Sequence, residues 1–316
     1  MIFSISVVIP VYNCERFIEK AILSVLKQPE VSEIIVVNDG STDDTQIILK
    51  KLENQNPKIK IYQHENKINK GRSASRNLGI KKAKCNYIAF LDADDFYLEN
   101  RFKADKVHFE NNPFSDGVYN AIGAHFYRET TLGEKAGLAL YTVKTKIEPE
   151  HLFETLFYGK EGQFSIDGLT IKKSVFDAVG YFDESLQVME DTELFYKIAL
   201  KCKLQTGIIN RPVAIRGVHE FNVFNRKELY NNYTAKVYEL LFLWSCKNGI
   251  PYNEIDTILK RLWILKYKEE DSLLKNIKYW KFLFVGNPKC LFSLLAIKYF
   301  PVIRLRKKLF PFLYRS

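Results

Sequence analysis

The chain has 316 residues, 47% of them hydrophobic, and a formal net charge of +10. That apolar share excludes a disordered chain, and the length leaves room for one large domain with an appendage or for two domains. The excess of Lys and Arg points to an anionic partner, such as phosphates or anionic lipid, and no nucleic-acid-binding motif accompanies it. Five scattered cysteines (Cys14, Cys85, Cys202, Cys246, Cys290) lack metal-ligand spacing and read as reduced thiols. No apolar run reaches the ~20 residues of a membrane span. The opening reads as a strand and not as a secretion signal, so a cytoplasmic setting is expected.

In chain order, residues 5–11 form an apolar run closed by a turn, a buried-strand signature. Phe17, Ile18, Ala21, Ile22, Val25 and Leu26 then recur at helical spacing, with Asn13 as the expected N-cap. Residues 33–37 are a second strand. It runs into Asn38-Asp39-Gly40-Ser41 and a helix carrying Ile47, Ile48 and Leu52. Residues 59–62 are a third strand, residues 73–82 a helix and residues 87–91 a fourth strand. Farther on, residues 117–127 read as strand and residues 149–157 as helix. The alternation predicts an α/β fold with a doubly wound, mostly parallel sheet flanked by helices.

In such a sheet the loops after the strands gather on one edge, where ligands bind. Pro10, Tyr12 and Asn13 follow strand one, Asp39 follows strand two, and Asp92-Ala93-Asp94-Asp95 follows strand four. Crowded carboxylates persist most easily against a cation. Asp39 and Asp92 suit the N–H of a base or ribose hydroxyls, and Asp94 suits a divalent cation, Mn²⁺ or Mg²⁺, bridging a diphosphate. Lys70 and Arg76, near the start of the third helix, suit phosphate oxygens. Lys67 and Arg72 read as a solvated helix face. Neither a Gly-x-Gly-x-x-Gly nor a P-loop sequence is present, so phosphate binding rests on a metal and basic side chains.

Four ordered blocks carry a family resemblance. They are Ser6-Val7-Val8-Ile9-Pro10-Val11-Tyr12-Asn13, Val36-Val37-Asn38-Asp39-Gly40-Ser41-Thr42-Asp43, Asn69-Lys70-Gly71 through Ser75-Arg76-Asn77-Leu78-Gly79, and Phe90-Leu91-Asp92-Ala93-Asp94-Asp95. Together they resemble the family 2 glycosyltransferases, inverting nucleotide-sugar enzymes of the GT-A fold. Asn38 stands where many members carry Asp, and Ser75 where many carry Ala. A later block, Val188-Met189-Glu190-Asp191-Thr192-Glu193-Leu194-Phe195, resembles the family's catalytic segment.

The resemblance covers residues 1–222. It implies a catalytic domain with a nucleotide-binding half (1–99) and an acceptor half (100–222). It also implies transfer from a nucleotide-diphosphate donor, most simply a UDP-sugar, to a hydroxyl of a polysaccharide or lipid-linked oligosaccharide. Asp191 is then the base that deprotonates the acceptor, with Glu190 orienting the acceptor or supporting Asp191. Ala93 belongs to the donor-binding motif, Arg216 would contact phosphate, and His219 would complete the metal site. Two other classes fit an acidic α/β edge. A sugar nucleotidyltransferase would carry a glycine-rich first loop. A non-catalytic nucleotide-sugar-binding protein would keep Asp39 and Asp92 but need not keep Asp191.

Residues 223–316 have a different texture. Apolar helical patterns give way to Trp280, Phe282, Leu283, Phe284, Leu294, Leu295, Phe300, Phe310 and Phe312 interleaved with Lys and Arg, ending in Arg304, Arg306, Lys307, Lys308 and Arg315. This predicts a basic helical appendage. It suits peripheral contact with an anionic membrane. It equally suits a cap on the catalytic domain or on a partner in a homodimer. Pro288, Pro301 and Pro311 break the run, which argues against a span.

Overall fold

Strand β1 (Ile5–Val11) buries all seven of its residues, as a central parallel strand must when helices cover both sheet faces. The computed structural model to which it belongs describes residues 3–269, 273–285, 287–299 and 310–314. The basic run Arg304, Arg306, Lys307, Lys308 and Arg315, with Phe300 and Pro301, lies outside the described residues. The chain divides into two units, Met1–Asn225 and Arg226–Ser316.

In the first unit the elements follow as α1 (Ile18–Leu26), β2 (Val31–Asn38), α2 (Thr45–Gln55), β3 (Ile59–Gln63), α3 (Arg72–Lys82) and β4 (Tyr87–Phe90). They continue as β5 (Phe96–Tyr97), α4 (Lys103–Asn111), β6 (Gly117–Tyr119), β7 (Ile122–Phe126), α5 (Leu132–Leu138) and α6 (Pro149–Tyr158). The unit closes with β8 (Leu169–Lys172), α7 (Val175–Val179), α8 (Glu190–Lys201), β9 (Leu204–Thr206) and β10 (Ala214–Val218).

Seven strands form one sheet in the order β3-β2-β1-β4-β8-β6-β9, and β5-β10-β7 form a second, smaller sheet. The β3-β2-β1-β4 block is parallel, and β8 enters antiparallel to both β4 and β6. The expected mostly parallel α/β sheet is present. Its core gathers Ile5, Val7, Ile9, Ile18, Ile22, Ile34, Val36 and Leu91.

Two expectations are corrected. Asn13 does not cap α1, which begins at Ile18 after Phe17. Asn13 instead takes φ +48° and ties the loop after β1 to the loop after β2: its Oδ1 accepts from the Thr42 N–H at 2.8 Å. Residues 117–127 form two strands rather than one. The break falls at Asn120, whose amide donates to Asp105 and to the Gly168 carbonyl, so β6 and β7 join different sheets.

Small residues set the depth of α3. A Cβ on Gly79 would lie 2.4 Å from Val8 Cγ1, so the helix can lie directly on β1 only with glycine there. This close approach carries Arg76 inside, where it is 1% exposed.

The second unit is helical: α9 (Lys227–Lys247), α10 (Tyr252–Glu269), α11 (Leu273–Val285), α12 (Pro288–Leu291) and α13 (Leu294–Tyr299). Leu241 and Phe242 of α9, Ile258 and Leu262 of α10, and Trp280 and Phe284 of α11 are all buried. Trp280 stacks on Tyr299. Lys298 and Tyr299 both bind Asp256, at 2.6 and 2.5 Å. The thiols of Cys246 and Cys290, 44 residues apart in sequence, come within 3.2 Å. Among the described residues no helix is long and apolar enough to cross a membrane.

Candidate active site

The carboxyl ends of β1, β2 and β4 place the acidic loops side by side. Asp39, at the end of β2, is 3% exposed. Its two oxygens accept from the backbone N–H groups of Lys70 and Gly71, at 2.7 and 2.8 Å. His64 Nε2 lies 3.5 Å away and also bonds Ser75 Oγ. Asp39 therefore fixes the loop that leads into α3. Gly40, at φ +78°, permits this approach, since a Cβ there would meet the Lys67 carbonyl at 2.6 Å. Pro10 is buried in β1, whereas Tyr12 is half-exposed and Asn13 and Lys70 are exposed.

Arg76 is not directed at open phosphate space. Its Nη2 donates to Asp92 Oδ1 at 2.6 Å and its Nη1 to Glu190 Oε1 at 2.7 Å, with Phe182 against the guanidinium plane. One buried cation thus joins the acidic loop after β4 to the start of α8. Arg72 is likewise not a plain solvated residue, because its Nε lies 3.4 Å from the same Glu190 oxygen. Burial works against ionisation of Asp92, yet Arg76 and Arg72 hold its carboxyl below the usual range. Burial raises Glu190, with the two arginines pulling the other way. Glu190 is 2% exposed and doubly paired, so it is placed to support its neighbour rather than to meet an acceptor.

Asp191 is half-buried in the first turn of α8. Its Oδ1 accepts from the Thr192 N–H at 2.7 Å and from Thr192 Oγ1 at 3.3 Å. The preceding Met189 adopts φ +62°, a left-handed conformation that costs a bulky residue roughly 1–3 kcal/mol. That strain turns the chain sharply and sets Glu190 inward toward Arg76 as the helix begins.

Asp94 and His219 are brought together: His219 Nε2 lies 2.9 Å from Asp94 Oδ2, and the Asn222 amide donates to the same oxygen at 3.1 Å. The Phe221 N–H donates to His219 Nδ1, so the proton sits on Nε2 in this arrangement. Ligation of a metal through Nε2 would place the ring proton on Nδ1 and so break the contact with the Phe221 N–H. Oxygen and imidazole donors at this spacing fit a divalent cation. Gly217 makes the arrangement possible, since a Cβ there would lie 2.2 Å from the Asp94 carbonyl. Its N–H donates to Asp95. Ala93, in the middle of this loop, is buried.

A second acidic group was not assigned from the sequence. Asp92, Asp95 and Asp167 each present an atom within 4.8 Å of the others. Asp167 Oδ1 accepts from the Asp92 N–H at 3.0 Å, pinning the loop from β8's side. Burial first, then Asp167 and Asp94, push Asp95 well above the carboxylate range. The third acid in Asp-Ala-Asp-Asp was a visible signal for Asp95, but nothing local marked Asp167. Arg216 faces this cluster, stacks over Tyr141 and donates to Ser165 Oγ at 3.3 Å.

Residues 6–163, half of the chain, match the sequence profile of glycosyl transferase family 2. The chain belongs to this family. It is 42% identical over 282 residues to an uncharacterized glycosyltransferase of Rickettsia conorii, covering 88% of this chain and 44% of that protein. It is 31% identical over 206 residues to the minor teichoic acid biosynthesis protein GgaA of Bacillus subtilis, covering 63% and 44%. The matched regions cover 16%, 44% and 39% of the curated relatives from Rickettsia bellii, Rickettsia conorii and Haemophilus influenzae, less than half of each. The structure of TarS residues 1–349 from S. aureus, in complex with UDP-GlcNAc, superposes with a TM-score of 0.65 at 19% identity, over 96% of this chain and 87% of that one. That likeness establishes the GT-A fold.

Within this family 2 chain, α8 also holds a buried acid, Glu193. Burial raises Glu193 to about 7 even though Lys197 Nζ lies 2.6 Å away. An acid with a raised folded pKa contributes stability that is full below its unfolded value, near 4.5, and is lost as pH rises through 7. The melting temperature should therefore fall between about pH 5 and pH 8, by an amount on the order of 3 kcal/mol in stability. In the double variant Glu193→Gln/Lys197→Met the slope over that window should flatten. An unchanged slope assigns the decline to other groups.

Proposed function

We propose that this protein is an inverting glycosyltransferase using a UDP-sugar, of the hexosyl or N-acetylhexosaminyl type, with a hydroxyl of a cell-surface polysaccharide or lipid-linked oligosaccharide as acceptor. The carrying observation is the Asp92–Arg76–Glu190 bridge, which couples the acidic loop at the sheet edge to the helix start bearing Asp191. Residues 1–99 form the nucleotide half and residues 100–222 the acceptor half. The GgaA likeness favours a teichoic-acid-type acceptor, and the TarS complex favours UDP-N-acetylglucosamine among donors.

In this reading Pro10, Tyr12, Asn13 and Asp39 line the nucleoside end, with Asp39 acting through the loop it anchors as well as toward the base. Asp92 and Ala93 border the ribose, and Lys70 and Arg216 lie toward the diphosphate. Asp94 and His219 would hold a divalent cation, Mn²⁺ or Mg²⁺, which when bound neutralises charge on the diphosphate. Asp191 takes the acceptor's hydroxyl proton. The acceptor oxygen bonds to the anomeric carbon as the bond from that carbon to the diphosphate oxygen breaks, and UDP leaves. Glu190, held by two arginines, positions Asp191 and does not touch the reacting atoms.

One base and no covalent nucleophile means a single displacement. The expected result is UDP release that depends on added acceptor, with the product's anomeric configuration opposite to the donor's by NMR. Retained configuration would overturn the mechanism. Release of pyrophosphate from UTP and a sugar phosphate would place the protein among nucleotidyltransferases instead.

A further inference from the structure

The net positive charge of the chain comes from its second unit. Residues 226–316 carry 18 Lys and Arg against 7 Asp and Glu, more than the whole net charge of +10. From residue 272 to the end there are 10 Lys and Arg and no acid. So complete a segregation is unlike an ordinary solvated surface, where both signs mix.

Helix α11 lies in this segment and is apolar on two faces. Trp280, Leu283 and Phe284 are buried within the unit. On another face Leu274, Lys278, Lys281, Phe282 and Val285 follow at spacings of four, three, one and three, which places them along one stripe. Leu274 and Phe282 are each 71% exposed and Val285 57%. Just beyond, Lys289, Phe292 and Leu294 are also exposed, Phe292 at 87%. Large apolar side chains grouped in this way mark a contact surface.

We propose that the α11–α13 face docks on an anionic lipid bilayer, with Leu274, Phe282, Val285 and Phe292 entering the acyl boundary and the lysines at the headgroups. The combination selects the partner. Lysines alone would suit any polyanion, but a phosphate-rich polymer gives no burial to outward apolar groups, and a nucleic acid, whose bases can stack on phenylalanine, leaves the aliphatic Leu274, Val285 and Leu294 uncovered. A second copy of the chain would cover the apolar groups but would bring a like-charged face against this one. A bilayer with anionic headgroups satisfies both requirements.

The test is sedimentation of the full chain with vesicles. One set contains phosphatidylglycerol and phosphatidylcholine in equal parts, and the other phosphatidylcholine alone. The chain should pellet with the anionic vesicles and remain in solution with the neutral ones. Lys278→Gln/Lys281→Gln should weaken partition by about thirtyfold, at ~1 kcal/mol per lysine. Phe282→Ser/Phe292→Ser should weaken it at least about tenfold. Far-UV circular dichroism and the melting temperature of each variant serve as the folding control, because all four side chains are exposed on the second unit. Three results would overturn the proposal: no partition into anionic vesicles, partition indifferent to the phenylalanine variants, or a dimer that these variants dissociate.

Discussion

Asp191→Asn lowers sugar transfer by about 10²–10⁴-fold, the usual contribution of a positioned general base. Asn keeps the shape and can still accept from the Thr192 N–H through its side-chain oxygen, so the first turn of α8 persists. What it loses is the ability to take a proton. The cost should fall on kcat, with UDP affinity unchanged. Glu190→Gln behaves differently. It weakens the pairings to Arg76 and Arg72, so it should disturb Asp191's position. Wild-type turnover by Asp191→Asn would remove the base assignment and return the acidic start of α8 to a helix-dipole role.

Arg101→Met destabilises the first unit by about 3–5 kcal/mol, because it leaves a buried carboxylate without its cation. Arg101 is fully buried. It donates to Asp105 Oδ2 at 2.8 Å, to the Asp167 carbonyl at 3.2 and 3.3 Å, and to Thr170 Oγ1 at 3.3 Å. Asp105 in turn accepts from Asn120 and Thr170. Urea unfolding of the variant reads the loss. Arg101→Met/Asp105→Leu should regain much of it, since an apolar pair replaces the ion pair without orphaning either charge. A loss below about 1 kcal/mol in Arg101→Met would mean that water reaches the site and the network is not sealed.

The network also marks where sequence reading stops. Strands β1, β2 and β4 were legible because each is an apolar run ending in a polar loop, and parallel topology then fixes which loops meet. The acidic motif and the Glu190-Asp191 helix start were legible by family resemblance. The partner of Asp92 was not: Arg76 looked like a phosphate ligand because burial by the Gly79 contact is a tertiary effect. Asp167 and Arg101 were silent for the same reason. They meet through β8, which crosses back antiparallel beside β4 some 80 residues later. No local periodicity encodes that return. The division between β6 and β7 likewise depends on what Asn120 bonds across the fold.

The central claim is a UDP-sugar site built on the acidic loop with Asp94 and His219 at its metal end. Calorimetric titration of UDP, with and without Mn²⁺, on the wild type and Asp94→Ala tests it most directly. The account predicts UDP binding that Mn²⁺ strengthens, and loss of that strengthening in Asp94→Ala. UDP binding that ignores both the cation and the substitution, or no binding of UDP at all, would contradict it.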